Sequence, residues 1–364
     1  MVGIGYILEN CHNENTTVIS REGNYYAIGG IVGQLNEKME NCSNTGKIIA
    51  NGKNVGSGAS NCGGIAGGTY PEKGVMIKNC TNQGNVIGKG EIVGGIVGCN
   101  YSEVIIKDCK NSGEIVGENQ LVGGIAGINQ GNVEKSENLG KVIGKGERVG
   151  GIAGNNSTTK SIIKECKNSG EIVGESKKVG GIAGIAFGNI ENSNNIGAIL
   201  GKGDVGGILG VIGDNCEVNI TNCSNEGKIE ATGIYQGGEI AVGGIIGETS
   251  TTGTSGKIEN VYNKGEVISR DKTARGTGGI IGSNSNTFEL KNCYNKGTVN
   301  GGDGIGAIIG IQYKNNDNVR NSYYLNTLGV KAINNEDDSS KNIIGVSDDV
   351  NSYEEFLNWI ATKQ

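Results

Sequence analysis

Val93-Gly94-Gly95-Ile96-Val97-Gly98 is the stretch on which the fold turns, because its Gly-Gly-Ile-x-Gly core recurs along the chain. The core begins at Gly29, Gly63, Gly94, Gly123, Gly150, Gly180, Gly206, Gly243 and Gly278, with an altered tenth copy, Gly306-Ala307-Ile308-Ile309-Gly310. Nine steps separate residue 29 from residue 306, a mean period of about 31 residues, which is the range of solenoid repeats. The third position is Ile throughout, as in Ile96, Ile125 and Ile152, and the fourth is aliphatic. Neighbouring strand residues point to opposite faces, so two adjacent apolar positions predict a short strand covered on both sides, with glycines leaving room for another backbone.

A second half-motif lies between these copies and reads clearly in Ile106-Lys107-Asp108-Cys109-Lys110-Asn111-Ser112-Gly113-Glu114-Ile115. An apolar residue stands three positions before the Cys site in every copy, as in Met39, Ile77, Ile106 and Val133, which marks a core column. The Cys site itself holds Cys42, Cys80, Cys109, Ser136, Cys166 and Val261 among others. That exchange fits a small buried side chain. Stacked strands lie about 4.8 Å apart and disulfide Cβ atoms about 3.8 Å, so these cysteines are expected to stay as thiols.

Two positions after the Cys site stands an asparagine, as in Asn82, Asn111 and Asn138, replaced only by Tyr324 in the last copy. Stacked asparagines form amide ladders. Two positions further on the residue is Gly, or Asn at Asn15 and Asn326, a substitution pattern that predicts a left-handed corner there. Lys110, Ser112 and Glu114 alternate with Cys109, Asn111, Gly113 and Ile115, the period of a strand with one wet and one dry face.

Composition agrees with an array. Glycine fills 68 of 364 positions and proline one, without the every-third-residue glycine of collagen. A net charge of −6 without a Lys/Arg run argues against nucleic acid as partner. No apolar run reaches the length of a membrane span, and Met1-Val2-Gly3-Ile4-Gly5 shows no signal peptide. The chain starts inside a repeat, which suggests a fragment of something longer or a helper chain over that end.

Motifs for chemistry are few. No CxxC occurs and His12 is the only histidine, so zinc sites, an HExxH centre and a Ser-His-Asp triad are not expected. No cofactor is expected. Gly201-Lys202-Gly203-Asp204-Val205-Gly206 matches a dinucleotide fingerprint in letters only, lacking the helix and distal acid. Glu91, Glu114, Glu147 and Glu171 could line up as acidic ladders of the kind polysaccharide-cleaving β-helices use, or form a solvated strand face.

One column breaks the repetition. The position after the Cys site is small or polar in early copies but holds Tyr262, Tyr294 and Tyr323 in the last three. An aromatic stripe results, with two readings: a sugar- or protein-binding strip, or a surface covered by the C-terminal tail. In that tail Ser352-Tyr353-Glu354-Glu355 matches a capping box, and Tyr353, Phe356, Leu357 and Ile360 share a helical face that, with Trp359 nearby, is expected to dock on the last coil.

With both half-motifs in view, Gly-Gly-Ile-x-Gly followed by Asn-Cys-x-Asn-x-Gly resembles the GLUG repeat family of bacterial surface and secreted proteins, over about residues 2 to 329. The resemblance implies an extracellular, noncatalytic array; in some members it accompanies an IgA-cleaving metalloprotease, whose motif is absent here. The expected fold is all-β: a parallel β-solenoid (β-helix) of about 10–11 coils over residues 1–329, with a short helical cap in 330–364. The expected role is a surface spacer or adhesive module that presents flanking domains or binds a host or matrix protein or a cell-surface glycan. A carbohydrate-active β-helix enzyme is the alternative.

Overall fold

The computed structural model describes residues 2–20, 27–52, 60–90, 92–175, 177–233, 240–249, 252–285, 288–313, 318–334 and 343–363. These residues are all-β apart from a short 3-10 turn and one C-terminal helix, α1, Tyr353–Ala361. The chain winds as a parallel β-solenoid of about ten turns. A representative turn runs through strands Ile92–Gly94, Val97–Asn100, Ile105–Lys107, Lys110–Asn111 and Ile115–Gly117. Each pairs in parallel with its equivalent one turn on: Ile92 with Leu121, Val97 with Ala126, Ile106 with Val133, Asn111 with Asn138 and Ile115 with Val142. Among the described residues, two ten-stranded sheets and one larger sheet result.

The strands are short because glycine punctuates them, so stability comes from stacking rather than from any single turn. The interior is divided in two. One apolar column holds Ile96, Ile125 and Ile152 with Val97, Ile106 and Cys109. The other holds Val93, Val122, Ile115 and Val142. Ile96 lies in the bend between two strands, not within one. The expected strand covered on both faces is therefore corrected: the bend lets Ile96 and Val97 enter the same column.

The left-handed corner also moves. Within the column expected to hold it, Asn15 has a φ of 57°, but none of the glycines, such as Gly113, has φ between +20° and +160°. A whole column of left-handed residues stands instead one position before the Cys site, from Asn10, Asn41 and Asn79 through Asp108, Lys135 and Glu165 to Asn292 and Asn321, with φ of 47–56°. Gly113 has a different reason to be glycine: a Cβ there would lie 2.1 Å from the Gly84 carbonyl oxygen of the preceding turn. The wet and dry alternation is as expected, with Cys109, Asn111, Gly113 and Ile115 buried, Lys110 and Ser112 exposed and Glu114 half-buried.

Pairing does not stop at residue 329. Ala332 O accepts from Ile308 N at 3.0 Å and Ile309 N at 3.2 Å, and strand Ile343–Val346 adds to Ser322–Leu325. The tail thus continues the packing unit. Among the described residues no helix is long and apolar enough to cross a membrane.

Candidate functional site

The two half-motifs meet at an asparagine ladder. Each amide Nδ2 donates to Oδ1 of the next asparagine, from Asn13 through Asn44, Asn82, Asn111, Asn138, Asn168, Asn195, Asn225 and Asn263 to Asn295, at 2.7–2.9 Å. The second amide proton goes to the glycine carbonyl two residues on, as from Asn111 to Gly113 O at 3.0 Å. That carbonyl can only accept, so it fixes which end of each amide is nitrogen. The ladder is fully buried from Asn44 onward. Room for it comes from the second glycine of Gly-Gly-Ile: a Cβ on Gly95 would lie 2.6 Å from Asn111 Cγ and 2.0 Å from Gly124 O. Where the asparagine column gives way to Tyr324, the glycine column gives way to Ala307.

A second buried amide run escapes the sequence reading, with Asn100 donating to Asn129 at 2.7 Å and Asn129 to Asn156 at 2.8 Å. Its signal is a residue six positions after the first glycine of each core, diluted by Ala186 and Ile212 in later turns. A third, outer run follows the left-handed column: Asn222 to Asn192, Asn260 to Asn222 and Asn292 to Asn260 at 2.9–3.0 Å.

All ten cysteines are free, and all but Cys11 are buried. Cys109 Sγ donates to backbone carbonyls, at 3.2 Å to Lys107 O. Burial pushes the Cys166 and Cys223 thiols up to about 12. Hydrogen bonding to the stacked Cys80 thiol, and then burial, raises that of Cys42. Cys62, which no repeat column places, belongs to the second apolar column, and Cys216 to the first. His12 is exposed, its Nδ1 2.8 Å from Ser43 Oγ.

The aromatic stripe is not open. Tyr262 and Tyr294 are wholly buried and Tyr323 nearly so, under Val350, Phe356 and Ile360. Tyr262 and Tyr294 stack with centroids 5.9 Å apart, Phe356 lies 5.8 Å from Tyr262, and Trp359 meets Tyr323 edge-on at 4.9 Å. The hydroxyls are used as well: Tyr262 donates to Val350 O at 3.0 Å and Tyr294 to Asp348 O at 2.7 Å. Burial pushes Tyr294 up to about 12. The reading of these tyrosines as an exposed binding strip is corrected, because the tail covers their rings and accepts from the hydroxyls of Tyr262 and Tyr294.

Carboxylates do not line up alone. Lys107, Glu134, Lys164 and Glu191 alternate from turn to turn, with Lys107–Glu134 at 3.6 Å and Lys164–Glu191 at 3.9 Å. Glu171 pairs with Lys141 at 2.7 Å, Glu114 is half-buried, Glu147 is exposed, and Glu91 lies outside the described residues. One place does gather unlike charges, where Asp204 and Glu248 come from adjacent turns beside Lys178 and Arg275. Glu248 is ion-paired to Arg275, and Asp204 Oδ1 accepts from Ala241 N at 2.9 Å. Burial and then the Glu248 charge push the Asp204 carboxyl up to about 8; burial and Arg148 lower Lys178. No group of three or more potential metal ligands forms among the described residues. The Gly201–Gly206 fingerprint runs from strand to strand with no helix after it.

No curated protein and no solved structure matches the chain. The model of the GLUG motif does match, at residues 24–49 and 273–300. Both stretches carry one Gly-Gly-Ile core followed by the asparagine half-motif, the pair of elements that meet at the ladder. The same pair recurs in every turn between them, so the unit that the GLUG-motif model matches is the one the parallel β-solenoid repeats.

Proposed function

We propose that this chain is a noncatalytic repeat module of a bacterial surface or secreted protein, serving as a stiff spacer that holds neighbouring domains apart. The observation that carries this reading is the unbroken buried amide ladder, which ties each turn to the next by side chains as well as backbone. Buried amides satisfied on both sides resist bending, since displacing one turn strands two polar groups. The interleaved Lys and Glu columns support it too, because a face that pairs its own charges leaves few of them for a partner. Cell-surface labelling tests the location: antibody to the folded array should stain intact producing cells or find the chain in the medium, and staining only after lysis would overturn it. Removing residues 109–165, which restarts the sequence in phase at Cys166, should bring end-attached fluorophores closer by about 10 Å, two strand spacings.

The enzymatic alternative draws on Asp204 and Glu248, two carboxylates on adjacent turns with one raised. Glu248 is held by Arg275, which supports the noncatalytic reading. Release of reducing ends from a polysaccharide by the wild type, lost in Asp204→Asn, would replace that reading with a hydrolase.

A further inference from the structure

A cleft of about 370 Å³ opens where the edge of α1 overhangs the strands that precede the tyrosine stripe. Its floor is the free end of the outer amide run, Asn192 and Asn222, with Asn194 beside it, and Tyr353 and Leu357 of α1 form one wall. We propose that this cleft binds a neutral sugar residue of a glycan. Three observations carry the assignment, and none depends on the spacer reading.

First, the floor offers amides in fixed directions. Asn222 Nδ2 donates to Asn192 Oδ1 at 3.0 Å and Asn260 Nδ2 to Asn222 Oδ1 at 2.9 Å, so the run ends on the exposed Asn192 with its Nδ2 facing no further asparagine. The preceding turn has Glu165 in that column. Amides that donate and accept side by side match vicinal hydroxyls, which do the same. Second, the wall is aromatic and fixed: Tyr353 OH donates to Asn260 O at 3.1 Å, and its ring lies 5.9 Å from Phe356. Sugar rings present apolar C–H faces that pack on such a wall. Third, the charge is balanced, since Glu226 at the rim pairs with Lys264 at 3.6 Å. A charged ligand would meet no unpaired partner there, whereas a neutral one needs none. The volume falls in the small-ligand range of about 300–1,000 Å³.

Maltotriose, cellotriose, xylotriose, mannotriose and chitobiose are the probes, screened by saturation-transfer NMR on the full chain and titrated calorimetrically. At least one should bind saturably, and Asn192→Gly/Asn194→Ala, in which glycine keeps the left-handed backbone at residue 192, should weaken it tenfold or more with an unchanged melting temperature. If that pair disturbs folding, Leu357→Ala, which cuts back an exposed residue of the wall, should weaken binding at least threefold. Saturation by none of the five at millimolar concentration would overturn the proposal, as would binding that both variants leave intact. Surface labelling and end-to-end distance stay as readouts of the spacer reading alone.

Discussion

Asn138 stands in the middle of the ladder, accepting from Asn111 and donating to Asn168 at 2.8 Å each. Asn138→Ala leaves a buried donor on the preceding turn and a buried acceptor on the following one without partners, at about 1–3 kcal/mol each. Urea unfolding should show a loss of about 2–5 kcal/mol. Gly124→Ala should be worse, because its Cβ would lie 2.2 Å from the Gly151 carbonyl oxygen as well as 2.4 Å from Asn138 Cγ. Asp204 sets the pH response. Its carboxyl is raised to about 8 from 3.8, so the folded chain holds a proton that the unfolded chain has lost between those values. Stability therefore falls as pH rises through that window. Asp204→Asn should flatten the fall and raise the melting temperature at pH 8, as calorimetric scans from pH 4 to 9 would show. The ladder is legible in the sequence because one residue type serves one role in every turn. The left-handed column is not, since Asp108, Lys135 and Glu165 share that backbone with asparagines and blur the signal. Gly113 misleads for a related reason: crowding and positive φ both select glycine.

Among the elements, α1 is legible in its start and only partly in its face. Ser352 Oγ accepts from Glu355 N at 3.1 Å, as the capping box requires, while the Glu355 carboxylate reaches back to Asn351 N at 2.8 Å. Ser352→Ala should cost about 1 kcal/mol of helix docking. Phe356 and Ile360 are buried as expected, but Leu357 is exposed and Trp359 takes its place against Tyr294 and Tyr323. Asp348 helps to hold it there, its carboxylate accepting from Trp359 Nε1 at 2.8 Å. No periodicity rule sees a bond to a residue outside the helix. Phe356→Ala removes the side chain that touches both stacked tyrosines, at about 3–5 kcal/mol if the site cannot collapse. The helix should then undock, and binding of a hydrophobic dye should rise while the strand signal in circular dichroism persists. Unchanged dye binding would mean that the tail is held by Tyr323, Trp359 and strand Ile343–Val346 alone.

For the whole molecule, the period predicts what can be cut. Excision of residues 109–165 keeps every column in phase, since Cys109–Glu118 recurs as Cys166–Glu175. The shortened chain should unfold cooperatively, a few degrees below the wild type. Excision of 109–122 places Gly123 directly after Asp108, losing the asparagine half-motif, and should yield aggregates. Architecture is legible at this scale because each turn meets only its neighbours, so a local pattern repeated ten times is the fold. What covers the tyrosines is not, because that contact joins residues far apart in sequence and occurs once. The buried ladder has a last property, which is its sense. Every amide from Asn13 to Asn263 donates toward the higher-numbered turn. Strand dipoles in a sheet largely cancel, but these side-chain dipoles add along the axis, as peptide dipoles do in a helix. The outer run points the other way, but it is shorter, with three bonds from Asn292 to Asn192 against nine in the ladder. The rod's interior is therefore polar along its axis, an electret whose side-chain donors all face one way.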